Sequence, residues 1–300
     1  MAKRWPLLFL FLAAIDFNKA DSALLAILIL GDSTADIGTN NFLPGSKARA
    51  NFPYISIDLP YADFFEKSTP FLSLVNSSSG LKKQSFKGKN FASTRAGIFD
   101  ITGQSMLTFM KFGPKLSYGY NATEKFLSKS LFFISIGSND IFGYYHSKSS
   151  LSKRKISLSH QLVLFHNQRT YNATRGCLEE LNDHARAIHA MLDSLLCKLS
   201  SEFEGMEYPL GNVYEITYND IENPLPFNFT EVKTAYCVVG KFNVESICDS
   251  KENLCMNHKD HLFWDFFHPT LAASELAANT LYHGPPRFAF PISFSQLTYD

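Results

Sequence analysis

The sequence lacks a charge excess of either sign. Among its 300 residues, 28 are Lys or Arg and 28 are Asp or Glu, so the formal net charge at neutral pH is zero. Binding to the phosphate backbone of nucleic acid usually needs a basic surface. The composition therefore gives no support for nucleic acid as a partner.

Cysteine is scarce, and no Cys-x-x-Cys pair occurs. The chain has five cysteines, an odd number, so at least one cannot pair within the chain. The close spacing of Cys237, Cys248 and Cys255 predicts one local disulfide among them. Cys197 lies in a helical apolar pattern, and we expect it to be a buried free thiol. Without paired cysteines we expect no zinc site.

The sequence also lacks an apolar run long enough to span a membrane, so no integral membrane segment is expected. The apolar run from Pro6 to Ile15 is interrupted by polar residues too early for an anchor. Two basic residues precede it, and small residues follow at Ala20 and Ala23. This order is typical of a secretory signal peptide. We therefore expect residues 1–23 to be a leader, and residues 24–300 to form a single extracellular domain.

Four Asn-x-Ser/Thr sequences fit the same route, because glycosylation accompanies secretion. They begin at Asn76, Asn121, Asn172 and Asn228. One such match arises easily by chance, but four behind a signal peptide are more persuasive. We expect a glycoprotein.

Two short apolar runs each end at a glycine that polar residues follow. Ala26–Leu30 precedes Gly31, and Leu131–Ile136 precedes Gly137. Wholly apolar runs of this length are typical of strands buried on both faces of a parallel sheet. Because ligands bind beyond the carboxyl ends of such strands, we expect the residues after both glycines to share one edge.

Helical periodicity predicts a helix from about Leu178 to Phe203, with one apolar stripe. A last helix is expected from Pro269 or Thr270 to about Tyr282, since proline suits a first helical turn. We predict a strand at Val213–Tyr218. Strands that alternate with helices indicate an α/β layered fold.

Ser33, Asp265 and His268 are the candidate catalytic residues. Ser33 follows a predicted strand and a glycine that permits a sharp turn. Asp265 precedes His268 by three residues, so its carboxylate can accept from one ring nitrogen and leave the other for a serine. Asn139, an amide beyond the second strand, suits an oxyanion. Taken singly, these residues also fit a helix cap, a surface ion pair and a turn.

A metal site is a minor alternative for the same region. It would use the two candidate residues near the C-terminus together with His258 and His261. Nothing else in the sequence indicates a metal, and no cofactor is expected.

Four sequence blocks, taken in order, resemble the plant-type GDSL esterase/lipase family of the SGNH hydrolases. They are Ile29–Asn41, Gly88–Ser93, Ile134–Asp140 and Phe263–Thr270. The resemblance implies a three-layer α/β fold, with a central parallel sheet flanked by helices. It also implies hydrolysis of carboxylic esters, of lipids or of acylated cell-wall and secondary compounds, without a cofactor.

The resemblance also implies a role for each candidate residue. Ser33 would be the nucleophile, His268 the general base and Asp265 the group that orients it. Asn139 and the backbone N–H of Ser33 would donate to the oxyanion. The expected partner is a small-molecule or lipid ester, and the expected state is a monomer.

The chain departs from the family pattern at three places. Arg95 stands where the family has an oxyanion glycine, so its backbone N–H is the candidate donor there. A family segment is absent between Pro60 and Tyr61. The stretch Leu151–Asn172 is too short to supply one internal strand of the sheet, which we expect to be missing. These departures leave a second function open: a catalytically silent secreted binding protein, or a truncated product, on the same fold.

Overall fold

The computed structural model of the protein describes residues 13–15, 26–43, 46, 69–70, 88–97, 130–141, 179–238, 253–254, 257–265 and 268–298. These residues contain both helices and strands. The strands are β1 (Ala13–Ile15), β2 (Ala26–Gly31), β3 (Thr69–Pro70), β4 (Gly88–Asn90), β5 (Ser130–Ser135), β6 (Pro209–Gly211), β7 (Glu231–Ala235), β8 (Cys237–Val238), β9 (Asn253–Leu254), β10 (His261–Phe263) and β11 (Ala289–Pro291). The helices are α1 (Glu179–Glu202), α2 (Val213–Glu222), α3 (Leu271–His283) and α4 (Phe294–Thr298).

A seven-stranded sheet carries the site, with the strand order β11-β6-β1-β5-β2-β4-β3. The two apolar runs form β2 and β5, as predicted, and they pair in parallel from Ala26↔Ser130 to Gly31↔Ser135. β4 pairs in parallel with both β2 and β3. β1 and β11 run antiparallel to their neighbours, so the sheet is mixed and not wholly parallel as expected.

The internal position between β5 and β6 is filled, while the stretch Leu151–Asn172, from which we expected no strand, lies outside the described residues. The occupant of the internal position is β1, from the N-terminal apolar run. β1 is antiparallel to β5, with Ala13 opposite Ile134 and Ile15 opposite Phe132. It is also antiparallel to β6, through Ala13 and Leu210. The sheet is therefore continuous across this position.

Helix α1 covers the same part of the sheet. It lies within one residue of the predicted bounds at each end. Leu192 and Leu196 on its apolar stripe are buried in a cluster with Leu210 of β6, and Phe132 of β5 packs against that cluster. Cys197 is a free thiol as expected, but it is exposed. One residue turns the helix by about 100°, so Cys197 leaves the stripe that its neighbour Leu196 occupies.

The predicted strand at Val213–Tyr218 is wrong, because this segment is the start of α2. The Asn212 side chain accepts from the Glu215 N–H at 3.1 Å and caps the helix. Ile216 and Asp220, four residues apart, are the buried residues of one face. The strand lies just before the cap, at β6. An N-cap and a four-residue spacing thus outweigh the β-branched residues that favoured a strand.

Helix α3 confirms the last predicted helix. Thr270 is its N-cap, and its Oγ1 accepts from the Ala273 N–H at 3.2 Å. The same hydroxyl donates to the His261 carbonyl at 2.8 Å. The cap therefore joins α3 to β10, which pairs in parallel with β7.

Cys237 begins β8 and takes part in a disulfide, in agreement with a disulfide in this region. Its partner lies outside the described residues. Of the glycosylation candidates, Asn228 is exposed, while Asn76, Asn121 and Asn172 lie outside the described residues. Within the described ranges, the protein has no helix whose length and hydropathy would let it cross a membrane.

Candidate active site

Ser33 lies in the turn that follows β2. The Asp32 N–H donates to the Ser135 carbonyl at 2.9 Å, which fixes the point where the chain leaves the sheet. A Cβ on Gly31 would lie 2.5 Å from that same carbonyl oxygen and 2.8 Å from Cβ of Ala35. Only glycine fits so close to backbone. The sequence Gly-Asp-Ser therefore places a hydroxyl at the carboxyl end of a central strand, as predicted.

Asp32 fixes the shape of this turn from within. It is buried, and its Oδ1 accepts from the backbone N–H and the hydroxyl of Thr34 at 3.0 and 2.9 Å. Burial raises the pKa of Asp32 above its ordinary value, and the Asp140 charge adds to that effect. The hydrogen bonds from Thr34 and the charge of His268 act in the opposite direction. Asp32 is thus part of the electrostatic surroundings of His268.

Ser33, His268 and Asp265 form one hydrogen-bonded line. Nε2 of His268 lies 2.9 Å from Oγ of Ser33. Nδ1 of His268 lies 2.9 Å from each carboxylate oxygen of Asp265. The His268 backbone N–H also donates to Asp265 Oδ1, at 2.8 Å. The three-residue spacing therefore closes the local turn that the sequence predicts.

Charge sets the protonation of His268. Burial alone would lower its pKa, but the charge and hydrogen bond of Asp265, with a contribution from Asp32, raise the pKa above its ordinary value. Asp265 is 2% exposed, so its carboxylate meets the imidazole with little solvent screening. The arrangement favours an imidazolium, the form that a general base reaches after it takes a proton.

The candidate oxyanion residues lie on two adjoining segments. Residues 93–96 form a turn in which the Ala96 N–H donates to the Ser93 carbonyl at 2.9 Å. The Ser93 N–H donates to the Gly31 carbonyl at 2.9 Å, so the turn lies beside the end of β2. Asn139 follows β5, and its Nδ2 donates to the Ala96 carbonyl at 3.0 Å. This bond uses one of the two amide hydrogens of Asn139 and leaves the other for a ligand.

Arg95 occupies the third position of this turn with φ 69°. A positive φ at this position is the reason that such turns favour glycine. Arg95 is partly buried, and burial lowers the pKa of its guanidinium to about 10. Arg95 thus lies in the turn that the family resemblance indicated. Its positive φ is a conformation that strains the backbone of an arginine.

Two residues that sequence reasoning did not single out hold the turn in place. Asp36 Oδ2 accepts from the backbone N–H and the hydroxyl of Thr94 at 3.0 and 2.8 Å. Asn40 Oδ1 accepts from the Ser93 hydroxyl at 2.6 Å. Asp36 and Asn40 lie in the first of the four matched blocks, and that block was the only signal that could have marked them. They tie the loop after Ser33 to the turn that contains Arg95.

Comparison with known proteins gives this geometry a context. A family model described as GDSL-like lipase/acylhydrolase matches residues 27–281, most of the chain. The chain belongs to the GDSL lipase/acylhydrolase family. The match spans the strand before Ser33, the turn with Arg95, Asn139 and the Asp265–His268 segment. The GDSL protein is therefore an α/β protein with parallel strands at its centre, and it is an esterase/lipase that acts on carboxylic esters.

Curated relatives agree along nearly the whole length of this GDSL chain. It is 26% identical to GDSL esterase/lipase At5g37690 of Arabidopsis thaliana, over 88% of this chain and 90% of that protein. It is 28% identical to GDSL esterase/lipase At1g71250 of the same plant, over 91% of this chain and 88% of that protein. The plant-type assignment made from the four blocks is confirmed.

Proposed function

We propose that the protein hydrolyses carboxylic esters through a Ser33–His268–Asp265 triad. The observation that carries the proposal is the line of contacts in which Nε2 of His268 faces Oγ of Ser33 while Nδ1 faces Asp265. A serine hydroxyl is a weak nucleophile until a base takes its proton. This contact supplies such a base, already oriented by a buried carboxylate.

In the proposed reaction, Ser33 Oγ attacks the ester carbonyl carbon as its proton passes to His268 Nε2. The tetrahedral intermediate then loses the alcohol, which receives that proton from His268. Water, deprotonated by the same nitrogen, attacks the acyl-enzyme and releases the acid. Asp265 stays ionised throughout and stabilises the imidazolium.

The proposed oxyanion hole has three donors: the backbone N–H groups of Ser33 and Arg95, and the Asn139 side chain. Within the described part of the chain, neither backbone N–H donates to another group. Asn139 is held in place by the Ala96 carbonyl. Preorganised donors of this kind stabilise the charge that develops on the carbonyl oxygen.

We further propose that the enzyme follows the secretory route and acts outside the cell as a glycosylated monomer on a small-molecule or lipid ester. The basic and apolar N-terminus, the sequons and the disulfide at Cys237 support this setting. Helix layers on both faces of the sheet complete the proposed fold. The balanced charge gives no basis for a nucleic-acid partner.

A catalytically silent binding protein on the same fold is the second candidate. The strained conformation of Arg95 favours it, because a long side chain stands where glycine would leave the turn open. The contact between Ser33 and His268 favours the enzyme.

The deciding experiment uses the purified full chain and short-chain p-nitrophenyl esters. We expect Ser33→Ala to lower turnover by about 10⁴-fold or more, as the loss of a triad nucleophile does. The matched control is Ser194→Ala, an exposed serine on α1, which should leave turnover unchanged. A serine-directed phosphonate should label Ser33 alone. Labelling at another serine with Ser33 unmodified would contradict the assignment, and a folded but unreactive chain would favour the silent binding protein.

A further inference from the structure

The guanidinium of Arg95 is a partly buried cation beside the proposed active site. Burial lowers its pKa to about 10, so the group still carries its charge at neutral pH. Within the part of the chain that the structure describes, no carboxylate pairs with this guanidinium and no oxygen accepts a hydrogen bond from it. Charges removed from water are normally paired. The guanidinium of Arg95 is therefore available to an anionic ligand.

Three carboxylates near the nucleophile already have donors of their own from the chain. They are Asp32, Asp36 and Asp265, whose donors include Thr34, Thr94 and His268, respectively. To turn toward Arg95, one of these carboxylates would have to give up a bond that shapes the site. A counter-ion for Arg95 is therefore not expected from this group.

The position of Arg95 in the chain places it at the site. The N–H of the preceding residue donates to Asp36, in the loop after β2, at 3.0 Å. The carbonyl of the following residue accepts from Nδ2 of Asn139 at 3.0 Å. The backbone is thus held on both sides of Arg95 by groups that border the proposed oxyanion position. A substrate whose carbonyl lies there comes within reach of a long side chain at this residue.

Arg95 combines two unfavourable features in one residue. Its φ of 69° strains the backbone, and its charge is partly removed from water. Residues kept in strained conformations concentrate at sites that bind ligands. The planar guanidinium also presents two parallel donors that match the two oxygens of a carboxylate. The residue type and its surroundings together favour a carboxylate as the ligand.

The charge of Arg95 does not interfere with the general base. Among the described groups, the charges that shift the pKa of His268 are those of Asp265 and Asp32. A cation close to the imidazole would lower that pKa, and Arg95 is not among the causes. A carboxylate bound to Arg95 would therefore leave the coupling between His268 and Asp265 in place.

We propose that Arg95 binds a carboxylate group of the ester substrate, so that the hydrolase prefers anionic esters to neutral esters of the same size. The inference rests on the proposed esterase function and names the substrate class of the same site. The carboxylate belongs either to the acyl group or to the alcohol, and the experiment distinguishes these two places.

The test compares two pairs of esters on the purified full chain. Mono-p-nitrophenyl adipate and p-nitrophenyl hexanoate differ in charge on the acyl group, and 4-acetoxybenzoate and 4-acetoxybenzamide differ in charge on the alcohol. In one of the pairs, kcat/KM should be at least about tenfold higher for the anionic ester, the factor that one hydrogen bond to a charged group supplies.

Substitutions of Arg95 show whether this residue causes the preference. Arg95→Gln removes the charge but keeps the positive φ and much of the length, so the ratio of kcat/KM within the pair should fall by about tenfold. Arg95→Lys keeps a charge without the two parallel donors and should retain part of the preference. The matched control is Arg186→Gln, an exposed arginine on α1, which should leave the ratio unchanged. Comparing ratios cancels the intrinsic reactivity of each ester.

Binding separates recognition of the anion from catalysis. Calorimetric titration of Ser33→Ala with the same four esters should show at least about tenfold tighter binding of the anionic member of one pair. The double variant Ser33→Ala/Arg95→Gln should lose that difference. If the unmodified chain hydrolyses none of the esters while the difference in affinity is present, the proposed function fails and the anion site stands.

The inference is overturned if the preference for an anionic ester is unchanged in Arg95→Gln. It is also overturned if neither pair shows a preference in kcat/KM or in affinity, a result that needs no substitution of Arg95 and so does not depend on the folding of its variants. Hydrolysis of the neutral esters in that case would leave the triad assignment untouched.

Discussion

Among single residues, His268 has surroundings with a direct consequence for pH. Its pKa is raised by Asp265 and Asp32 against the opposite effect of burial. Because a general base must be neutral to take a proton, kcat/KM should fall as the pH drops through this raised pKa, with a midpoint above 6.5. Asp265→Asn should lower the midpoint along with the rate, in a pH profile with p-nitrophenyl acetate. The control Asp183→Asn removes an exposed carboxylate on α1 and should shift nothing. An unshifted midpoint in Asp265→Asn would contradict the coupling.

The same pKa shift has a stability consequence of known sign. A folded-state pKa above the ordinary value means that folding favours the protonated form. The stabilising contribution of the His268 imidazolium is therefore fully present below the ordinary pKa, and it is lost as the pH rises through the folded-state pKa.

Asn139 should affect the transition state more than the bound substrate. We expect Asn139→Ala to lower kcat by roughly 10²–10³-fold with little change in KM, since an oxyanion donor acts mainly on developing charge. Steady-state kinetics on one ester measure both. A change confined to KM would make Asn139 a substrate-binding residue instead.

Two substitutions of Arg95 separate the effect of backbone strain on activity from the effect of side-chain bulk. Arg95→Gly relieves the positive φ and removes the side chain, whereas Arg95→Ala removes most of the side chain and keeps the strain. If bulk limits the site, both variants should raise kcat. If strain limits it, only Arg95→Gly should raise kcat and Tm, the activity gain reaching at most the roughly 10²–10³-fold that one donor supplies. No gain in either variant would show that Arg95 is compatible with full activity.

At the scale of helices and strands, Thr270 joins two elements through one hydroxyl. It caps α3 and donates to the His261 carbonyl of β10, and it is 1% exposed. Thr270→Val keeps the shape but loses both bonds, so we expect unfolding free energy to fall by about 1–3 kcal/mol. Urea denaturation measures the loss. Thr270→Ser, which retains the hydroxyl, is the matched control, and an equal loss in both variants would assign the effect to packing.

Elements with a strong pattern could be predicted from sequence, and elements set by a single contact could not. The stripe through Leu192 and Leu196 marked α1, and the apolar runs before Gly31 and Gly137 marked two strands. α2 was missed because the β-branched residues after Asn212 favoured a strand, and the role of Asn212 as an N-cap was not recognised. β1 was missed because its apolar residues have the composition of a leader, and its pairing with β5 and β6 joins segments that are far apart in the chain.

The candidate site divides in the same way. The spacing of Asp265 and His268 predicts their local contact, because three residues fix the geometry. Their approach to Ser33, and the hold of Asp36 on the oxyanion turn, depend on how distant segments meet. Residue patterns alone do not specify contacts between distant segments. Here only the match to four ordered blocks indicated these contacts.

At the scale of the whole molecule, the site joins the two ends of the sequence. Ser33 and His268 are 235 residues apart in the chain and 2.9 Å apart in space. Ser33 and Asn139 follow two neighbouring parallel strands, so the centre of the sheet sets the distance between the proposed nucleophile and the proposed oxyanion amide. The reactivity of Ser33 is therefore expected to depend on the complete fold.

That distance along the chain also sets the order in which Ser33 and His268 are synthesised. Synthesis proceeds from the N-terminus, so the segment with Ser33 emerges and begins to fold long before residue 268 exists. The growing polypeptide carries Ser33 without His268 until residue 268 has been added. The proposed triad can therefore form only late in synthesis, after nearly nine tenths of the chain has been made.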